Sequence, residues 1–529
     1  MAKRAVSLSR GRTVPLAIAV ISAAALAACS SGGSSGGTTG ASSGGKAAVT
    51  KAPAAATVAF PSKMNNLDPD LGYNVQEINA IGLWGEGLYE FRYGTASAPE
   101  PGLAQSATTS ADKLTWTFKL RPHLEFSDGT PLTAHDVAVT LNRDRTNAAN
   151  VWAFFAQPMK SVTAPDASTV VVKLTQPYPS LPVILAESGF AILPASAYKK
   201  PAAYMQKPVS AGPYMVQSWG GGNNATFVAN PHYWGAQPVI KTINFTTVAD
   251  FNTTLAQLKT GQTSMAEGLP MSIQPQLASG GLQWKLQQMY GFYGFPFNNT
   301  APPFNNVNVR RAVSLALNRD QMNQIVWRGL AKPLSSFWPS TMTGYDSSIS
   351  TARDVAQAKK LLAGTPCAHG CSIQLDISPI LGGWASQLAQ VAQQNLADIG
   401  IHVKITSLTA TGYNNDVILH PKYQMSLAFL YDFANIPDGM LEYAALPGSF
   451  FQGFYSYWKD PKLTGAIEKA REATGAGQAA ALAQINTLFD KDVPYATVAT
   501  DNDLWVQRVS SKFIDVEPTD QVAVARVGS

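Results

Sequence analysis

Cysteine, histidine and charge are all scarce in this chain of 529 residues, which has three Cys, six His and only 14% Asp, Glu, Lys and Arg together. The histidines are scattered, and none stands in H-E-x-x-H or another metal-ligand spacing, so the usual support for a metallohydrolase is missing. No nucleophile sits in a strand-turn-helix context either. The expectation is a protein that is not an enzyme and carries no cofactor. Past the N-terminal region there is no apolar run long enough for a membrane-spanning helix. An excess of one charge is lacking as well. Removing four cations near the N-terminus from the 39 basic residues leaves 35 against 34 acidic ones, and a near-neutral chain makes no electrostatic case for nucleic acid.

What is present begins with an address. Lys3, Arg4, Arg10 and Arg12 precede an apolar run from Val14 to Leu26 that is short for a bilayer span, which is the pattern of a signal peptide over residues 1–28. The run ends in Leu26-Ala27-Ala28-Cys29, which resembles a lipoprotein cleavage box. In that reading Cys29 becomes a lipidated N-terminus, held stably because it carries two or more acyl chains; an ordinary signal peptide with a chance cysteine is the alternative. Residues 29–56 are mostly Ser, Gly, Thr and Ala, too poor in bulky apolar groups to offset the entropy of ordering, and are expected to form a flexible tether. Gly33 to Gly37 matches G-x-S-x-G, and Gly40 to Lys46 nearly matches a phosphate-binding loop. Both motifs need a strand before and a helix after, and neither has them.

The remainder, over 450 residues in a chain that is 46% hydrophobic, is enough for two or three packed domains. Its polar contacts rest on Asn, Gln, Ser and Thr with 10% aromatics, a mixture suited to holding ligands without reacting with them. Cys367 and Cys371, in Pro366-Cys367-Ala368-His369-Gly370-Cys371, read as a disulfide closing a very short loop; a metal site using both thiolates and His369 is the rival. Leu114, Trp116, Phe118 and Leu120 alternate with polar residues as in a strand buried on one face. Thr133 and Asp136 form a capping box for a helix through about Arg143, and a strand is expected over Thr169 to Leu174. Asn308 is expected to cap a helix burying Val309, Ala312, Val313, Ala316 and Leu317, with Arg310, Arg311 and Ser314 facing away. The helical pattern from Trp384 through Leu388, Val391, Ala392, Leu396 and Ile399 stops at Gly400 and gives way to a strand at Ile401, Val403 and Ile405. Interleaved strands and helices over the whole length define an α/β protein.

The block Leu114 to Arg143, LTWTFKLRPHLEFSDGTPLTAHDVAVTLNR, resembles the signature segment of the dipeptide/oligopeptide-binding family (family 5) of solute-binding proteins of bacterial ABC importers. Further matches are Leu67-Asp68-Pro69, Gly87-Leu88-Tyr89-Glu90, Ala211-Gly212-Pro213-Tyr214, Asn230-Pro231-His232-Tyr233-Trp234-Gly235, Phe297-Asn298, Pro302-Pro303-Phe304 and Val309-Arg310-Arg311-Ala312. The resemblance implies a two-lobed periplasmic-binding-protein-like fold with a ligand cleft between the lobes and an extra subdomain on the first. Lobe I would take 57–90, 200–305 and 495–529, the subdomain 91–199 and lobe II 306–494. Crossover strands would run through Phe295 to Asn299 and through Asp492-Val493-Pro494-Tyr495. Trp116 and Phe118 would then be core. The implied role is to bind a short peptide at the outer face of the cytoplasmic membrane and deliver it, as a monomer, to a permease and ATPase, with the lipid anchor as the only membrane contact.

By the same resemblance Asp432, within Phe429-Leu430-Tyr431-Asp432-Phe433, would pair with the ligand's α-ammonium, because a buried ammonium must be paired. The alternative is that Asp432 only caps a turn; Asp438, before Gly439, is expected to be structural. Tyr431 and Phe433 either wall the pocket or belong to the core. Tyr73, Asn74 and Val75, with Gln76, would offer main-chain pairing to a peptide or else form an exposed connector. Trp384 faces the cleft or packs in the core. Arg319 and Arg328 lie in lobe II as cations for a ligand carboxylate, although Arg319 is expected to stay solvated. Relatives of the family also bind nickel complexes, haem, oligosaccharides or opines, so a non-peptide solute stays open, as do a peptide hydrolase and a surface sensor.

Overall fold

The computed structural model describes residues 51–91, 99–277, 281–419, 422–432, 436, 439–441, 458, 460–517 and 521–527. The signal segment, Cys29, most of the tether with its two motif matches, Phe433 and Asp438 lie outside them. No helix among the described residues is long and apolar enough to cross a membrane.

Eight strands form the largest sheet, in the order 428–432, 283–296, 495–507, 265–266, 55–60, 242–247, 224–229 and 214–219. Its parallel centre is Ala55–Phe60, flanked by Thr242–Thr247 and Met265–Ala266. The two flanking strands are joined across the central one by helix Phe251–Thr260, as a parallel crossover requires. Asp250 caps that helix by accepting the Thr253 N–H at 2.8 Å, and Gly261 ends it with a φ of 82° that few other residues adopt without strain. The central strand begins at Ala55, so ordered structure reaches two residues into the expected tether; the Ala54 carbonyl accepts from Lys241 N and Thr242 N at 3.0 and 3.1 Å.

A four-stranded antiparallel sheet, in the order 104–109, 115–120, 169–174 and 159–166, packs on helix Ala134–Asp144. Its second strand is the one read as alternating, and its third is the strand expected over Thr169–Leu174. Phe118 is fully buried, and Trp116 stacks on it with ring centroids 5.9 Å apart. The capping box is formed, with Thr133 N donating to Asp136 Oδ2 at 3.0 Å. A third sheet pairs Cys371–Ile377 in parallel with Ile401–Ser407 and Met425–Ser426, and helix Trp384–Ala397 leads into it through Gly400 at φ 80°. Cys367 and Cys371 are joined by a disulfide whose Cα atoms lie 4.9 Å apart.

Three expectations need correction around residues 306–319. The helix cap is Asn306, not Asn308: the helix runs Val307–Ala316, and the Asn306 side chain accepts the Asn308 N–H at 2.9 Å. Arg310 does not face solvent. It is buried, and its guanidinium donates to the carbonyls of Asp492, Val493 and Phe304. Arg311 is half-buried and donates, at the surface, to the carbonyls of Asp490 and Lys491. Arg319 is buried too, donating to the carbonyls of Leu334 (2.8 Å), Thr497 (2.9 Å) and Ser314 (3.0 Å) and to the Ser314 hydroxyl. Burial lowers both the Arg310 and the Arg319 guanidinium to about 10, so each stays charged at neutral pH. A planar fork of five donors meets several carbonyls at once, and this is why arginine rather than lysine serves there. Replacing Arg319 by Met leaves those acceptors buried without donors, and the expected loss is about 3–5 kcal/mol of unfolding free energy, read from urea denaturation. An unchanged midpoint and slope would show that water replaces the guanidinium.

Candidate functional site

The centre of the molecule is a pair of long antiparallel strands, Gln283–Pro296 and Tyr495–Gln507. Their register is regular from Gln283↔Gln507 to Gln288↔Asn502, breaks across Met289–Gly291, and resumes at Phe292↔Thr500 with a second shift after Tyr293. Beyond the break the neighbours change. Strand Ala428–Asp432 pairs with Tyr290–Gly294, and Pro333 bridges to Ala499. Pairing therefore carries residues 290–296 and 495–500, expected in lobe I, into contact with segments expected in lobe II. The two crossover segments named from the sequence lie side by side, with Pro296 opposite Tyr495 and Phe297 N donating to Pro494 O at 3.2 Å.

Several predicted site residues meet here. Asp432 is opposite Tyr290 and Tyr431 opposite Gly291, both at the register break; Phe429, half-buried, is opposite Tyr293. Trp384 starts its helix half-buried and packs edge-on against Tyr293 with centroids 4.6 Å apart, at the margin of the hydrophobic core. Trp327 lies on the same Tyr293 ring at 4.8 Å, and the Tyr293 hydroxyl donates to Asn502 O at 3.1 Å. The Thr341 hydroxyl donates to the Met289 carbonyl within the break at 2.8 Å. Tyr293, Trp327 and the break itself were not singled out from the sequence. The available signal was Gly291 and Gly294 inside an aromatic strand run, since glycine in a strand marks a bulge or a close approach. A Cβ at residue 294 would lie 3.1 Å from Ala496 O.

The first-lobe segment is positioned separately. Asn74 caps helix Val75–Trp84, accepting the Glu77 N–H at 2.9 Å, and Tyr73 N donates to Glu77 Oε2 at 3.3 Å. Their local hydrogen bonds are thus already in use, and Val75 is helical, so the segment is a helix start rather than an open strand edge. Tyr73 leaves its side chain 51% exposed. The loop before it is gripped by the subdomain: Arg143 and Asn147 bind Asp70 Oδ2, and Trp152 Nε1 donates to Gly72 O at 2.9 Å. Arg328, at the end of helix Arg319–Trp327, is exposed. His369 is exposed beside the disulfide, and no cluster of three His, Cys, Asp or Glu fit for a metal occurs among the described residues.

Architecture and geometry together define a two-lobed, mixed α/β binding-protein fold whose long strands thread its middle. Residues 98–452 match the model for bacterial extracellular solute-binding proteins, family 5, and the chain belongs to that family. It is 30% identical over 321 residues to the glutathione-binding protein GsiB of Escherichia coli O1:K1 / APEC, a match covering 58% of this chain and 61% of that protein. The chain therefore spans about three fifths of the length of that curated relative. In fold it is similar to the periplasmic binding protein DppA of Helicobacter pylori in complex with the peptide STSA, with a TM-score of 0.78, 23% identity, and coverage of 89% of this chain and 98% of that one. It is likewise similar to NikA of Staphylococcus aureus in complex with Ni(L-His)2, with a TM-score of 0.74, 19% identity, and coverage of 89% and 100%.

The subdomain grip carries a pH dependence. Asp144 is buried, and its carboxyl is held well above the ordinary 3.8, first by burial and then by the hydrogen-bonded Asp70 and by Asp68, with Arg143 opposing. A carboxyl with a raised folded pKa contributes fully below its unfolded value and loses that contribution as pH rises through the folded value. Asp144→Asn should therefore match wild type in Tm near pH 4 and exceed it at pH 7–8. A parallel pair of Tm–pH curves would show that Asp144 does not titrate in this range.

Proposed function

We propose that this chain is the substrate-binding component of an ABC importer, anchored through Cys29 at the outer face of the cytoplasmic membrane, that captures short peptides by lobe closure. The observation that carries this is the wider register break in the paired long strands, at Met289–Gly291, beside which Asp432 and Tyr431 stand. The two strands are not paired with each other across Met289–Gly291, and on this reading they bend there during closure, so that the hinge lies inside the strands rather than at residues 295–299 and 492–495. Lobe I then ends near 289 and resumes near 501, and lobe II takes the intervening strand halves.

In this mechanism Asp432 pairs with the peptide's α-ammonium. The aromatic group Tyr293, Trp327 and Trp384 backs the site, and Tyr73 lies on the lobe that closes over it. A ligand drives closure only through contacts made better in the closed state, so the ion pair must complete as the lobes meet. Closure is what the permease and ATPase then distinguish from the empty, open receptor. No step requires chemistry on the ligand.

The deciding experiment is native purification followed by mass spectrometry of what co-purifies, then calorimetry with the peptides found. Peptides are the expected cargo, and Asp432→Asn should raise their Kd roughly ten- to hundredfold, the scale of a hydrogen bond to a charged group, without lowering Tm. A co-purifying sugar, opine or metal complex would overturn the peptide assignment and leave the importer role. Unchanged affinity in the variant would remove Asp432 from the site.

A further inference from the structure

Glu267 is the first residue after the carboxyl end of strand Met265–Ala266, one of the three parallel strands, and crevices at such ends are where open α/β sheets take their ligands. Asp503 lies on the second long strand, and the two carboxyls are hydrogen-bonded to each other. Two carboxyls in one hydrogen bond share a proton. Both residues are partly buried, and burial holds the Asp503 carboxyl above its ordinary range. The chain then runs through Gly268, at φ 76°, into Met271–Ile273, which touches helix Arg319–Trp327 of the opposite side. The pair thus stands where the two lobes approach, two residues from the register break.

An independent observation points into the same place. Gln287 is directly opposite Asp503 in the antiparallel pair, which sets their Cβ atoms about 5 Å apart on one face of the sheet. Gln287 is only 6% exposed; its Nε2 donates to Gln288 O at 3.1 Å, and its buried Oε1 has no hydrogen-bond partner. Such an orphan acceptor is costly to bury unless a donor arrives. Lys285, two residues away on the same face, is engaged elsewhere, with Nζ at 2.9 Å from Val516 O and 3.4 Å from Asp515. The Asp503 carboxylate also accepts the Leu504 N–H. The result is a half-buried set of oxygen acceptors with one shared proton and an unused carbonyl.

We propose that Glu267, Asp503 and Gln287 form a subsite for a cationic side chain of the ligand, an ammonium or guanidinium, which replaces the proton shared between the two carboxyls. This rests on the peptide-receptor assignment above and adds a preference to it: peptides bearing Lys or Arg bind more tightly than neutral ones of the same length. On binding, the ligand cation donates to the carboxylates and to Gln287 Oε1, and the displaced proton leaves to buffer.

The test is calorimetry on the full folded chain with short peptides that differ only in Arg against norleucine at one position, each placed in turn. Runs in two buffers of different ionisation enthalpy count released protons. The expected result is a preference of about tenfold or more for the Arg peptide at one position, accompanied by release of up to one proton that the norleucine peptide does not cause. In Glu267→Gln/Asp503→Asn the preference should collapse toward one and the proton release vanish. In Gln287→Met, which keeps both carboxyls should the double variant misfold, the preference should fall severalfold while proton release persists. Binding of both peptides with no preference, or a preference the variants leave intact, overturns the subsite and leaves the peptide assignment standing. Binding of neither peptide overturns both.

Discussion

Everything in this molecule depends on the antiparallel pairing of Gln283–Pro296 with Tyr495–Gln507. Backbone that runs through the middle of a protein must have its N–H and C=O groups paired, and these two strands satisfy each other while passing from one set of neighbours to another. On one side of the register break they extend a sheet with a parallel centre; on the other they accept Ala428–Asp432 and the Lys332–Leu334 segment. Continuous pairing makes a stiff beam. The three-residue lapse in their mutual pairing lies where strand Ala428–Asp432 joins the sheet.

The entry of the second long strand is secured by buried guanidinium groups that donate to main-chain carbonyls. Arg310 and Arg319 hold main-chain carbonyls at Asp492, Val493 and Thr497, fixing where the second long strand enters. The motifs shared with the family do comparable work elsewhere. Asn230 is fully buried and donates to Gly212 O at 2.9 Å, and Gly212 lies so close to the preceding helix end that a Cβ there would sit 2.5 Å from Gly85 O. Glu90 takes both Arg526 nitrogens, at 3.2 and 2.6 Å, tying the C-terminal segment to the first lobe. Arg121 lies 4.0 Å over the Trp234 ring, and His232 Nδ1 is 2.7 Å from Glu125, so two distant motif blocks meet face to face. The most recognisable residues of the chain are therefore joints between its parts.

Local patterns were legible wherever a single element decided its own fate. The alternation at Leu114–Leu120, the Thr133–Asp136 box and the Trp384 helix leading to Gly400 all depend on neighbours within one or two turns, and the structure has all three, with the helix closing at Ala397 rather than Ile399. Family membership was legible for a related reason, because the joints are specific sequences. The cap at Asn306 was missed by two residues because both asparagines suit the role and only the path of the preceding loop selects one.

What the sequence determined by itself was the class of elements, their order and the family they build, since hydrophobic period, capping and turn residues act over a few positions. Tertiary structure alone decided which arginines are buried, where the ladder between the long strands breaks, and that Gln287, Asp503 and Glu267, spread over more than two hundred residues, share one face. Burial and strand register are set by what arrives from far away in the chain. No local pattern reports whether a guanidinium will meet solvent or three carbonyls, and that difference separates a surface charge from a structural pin.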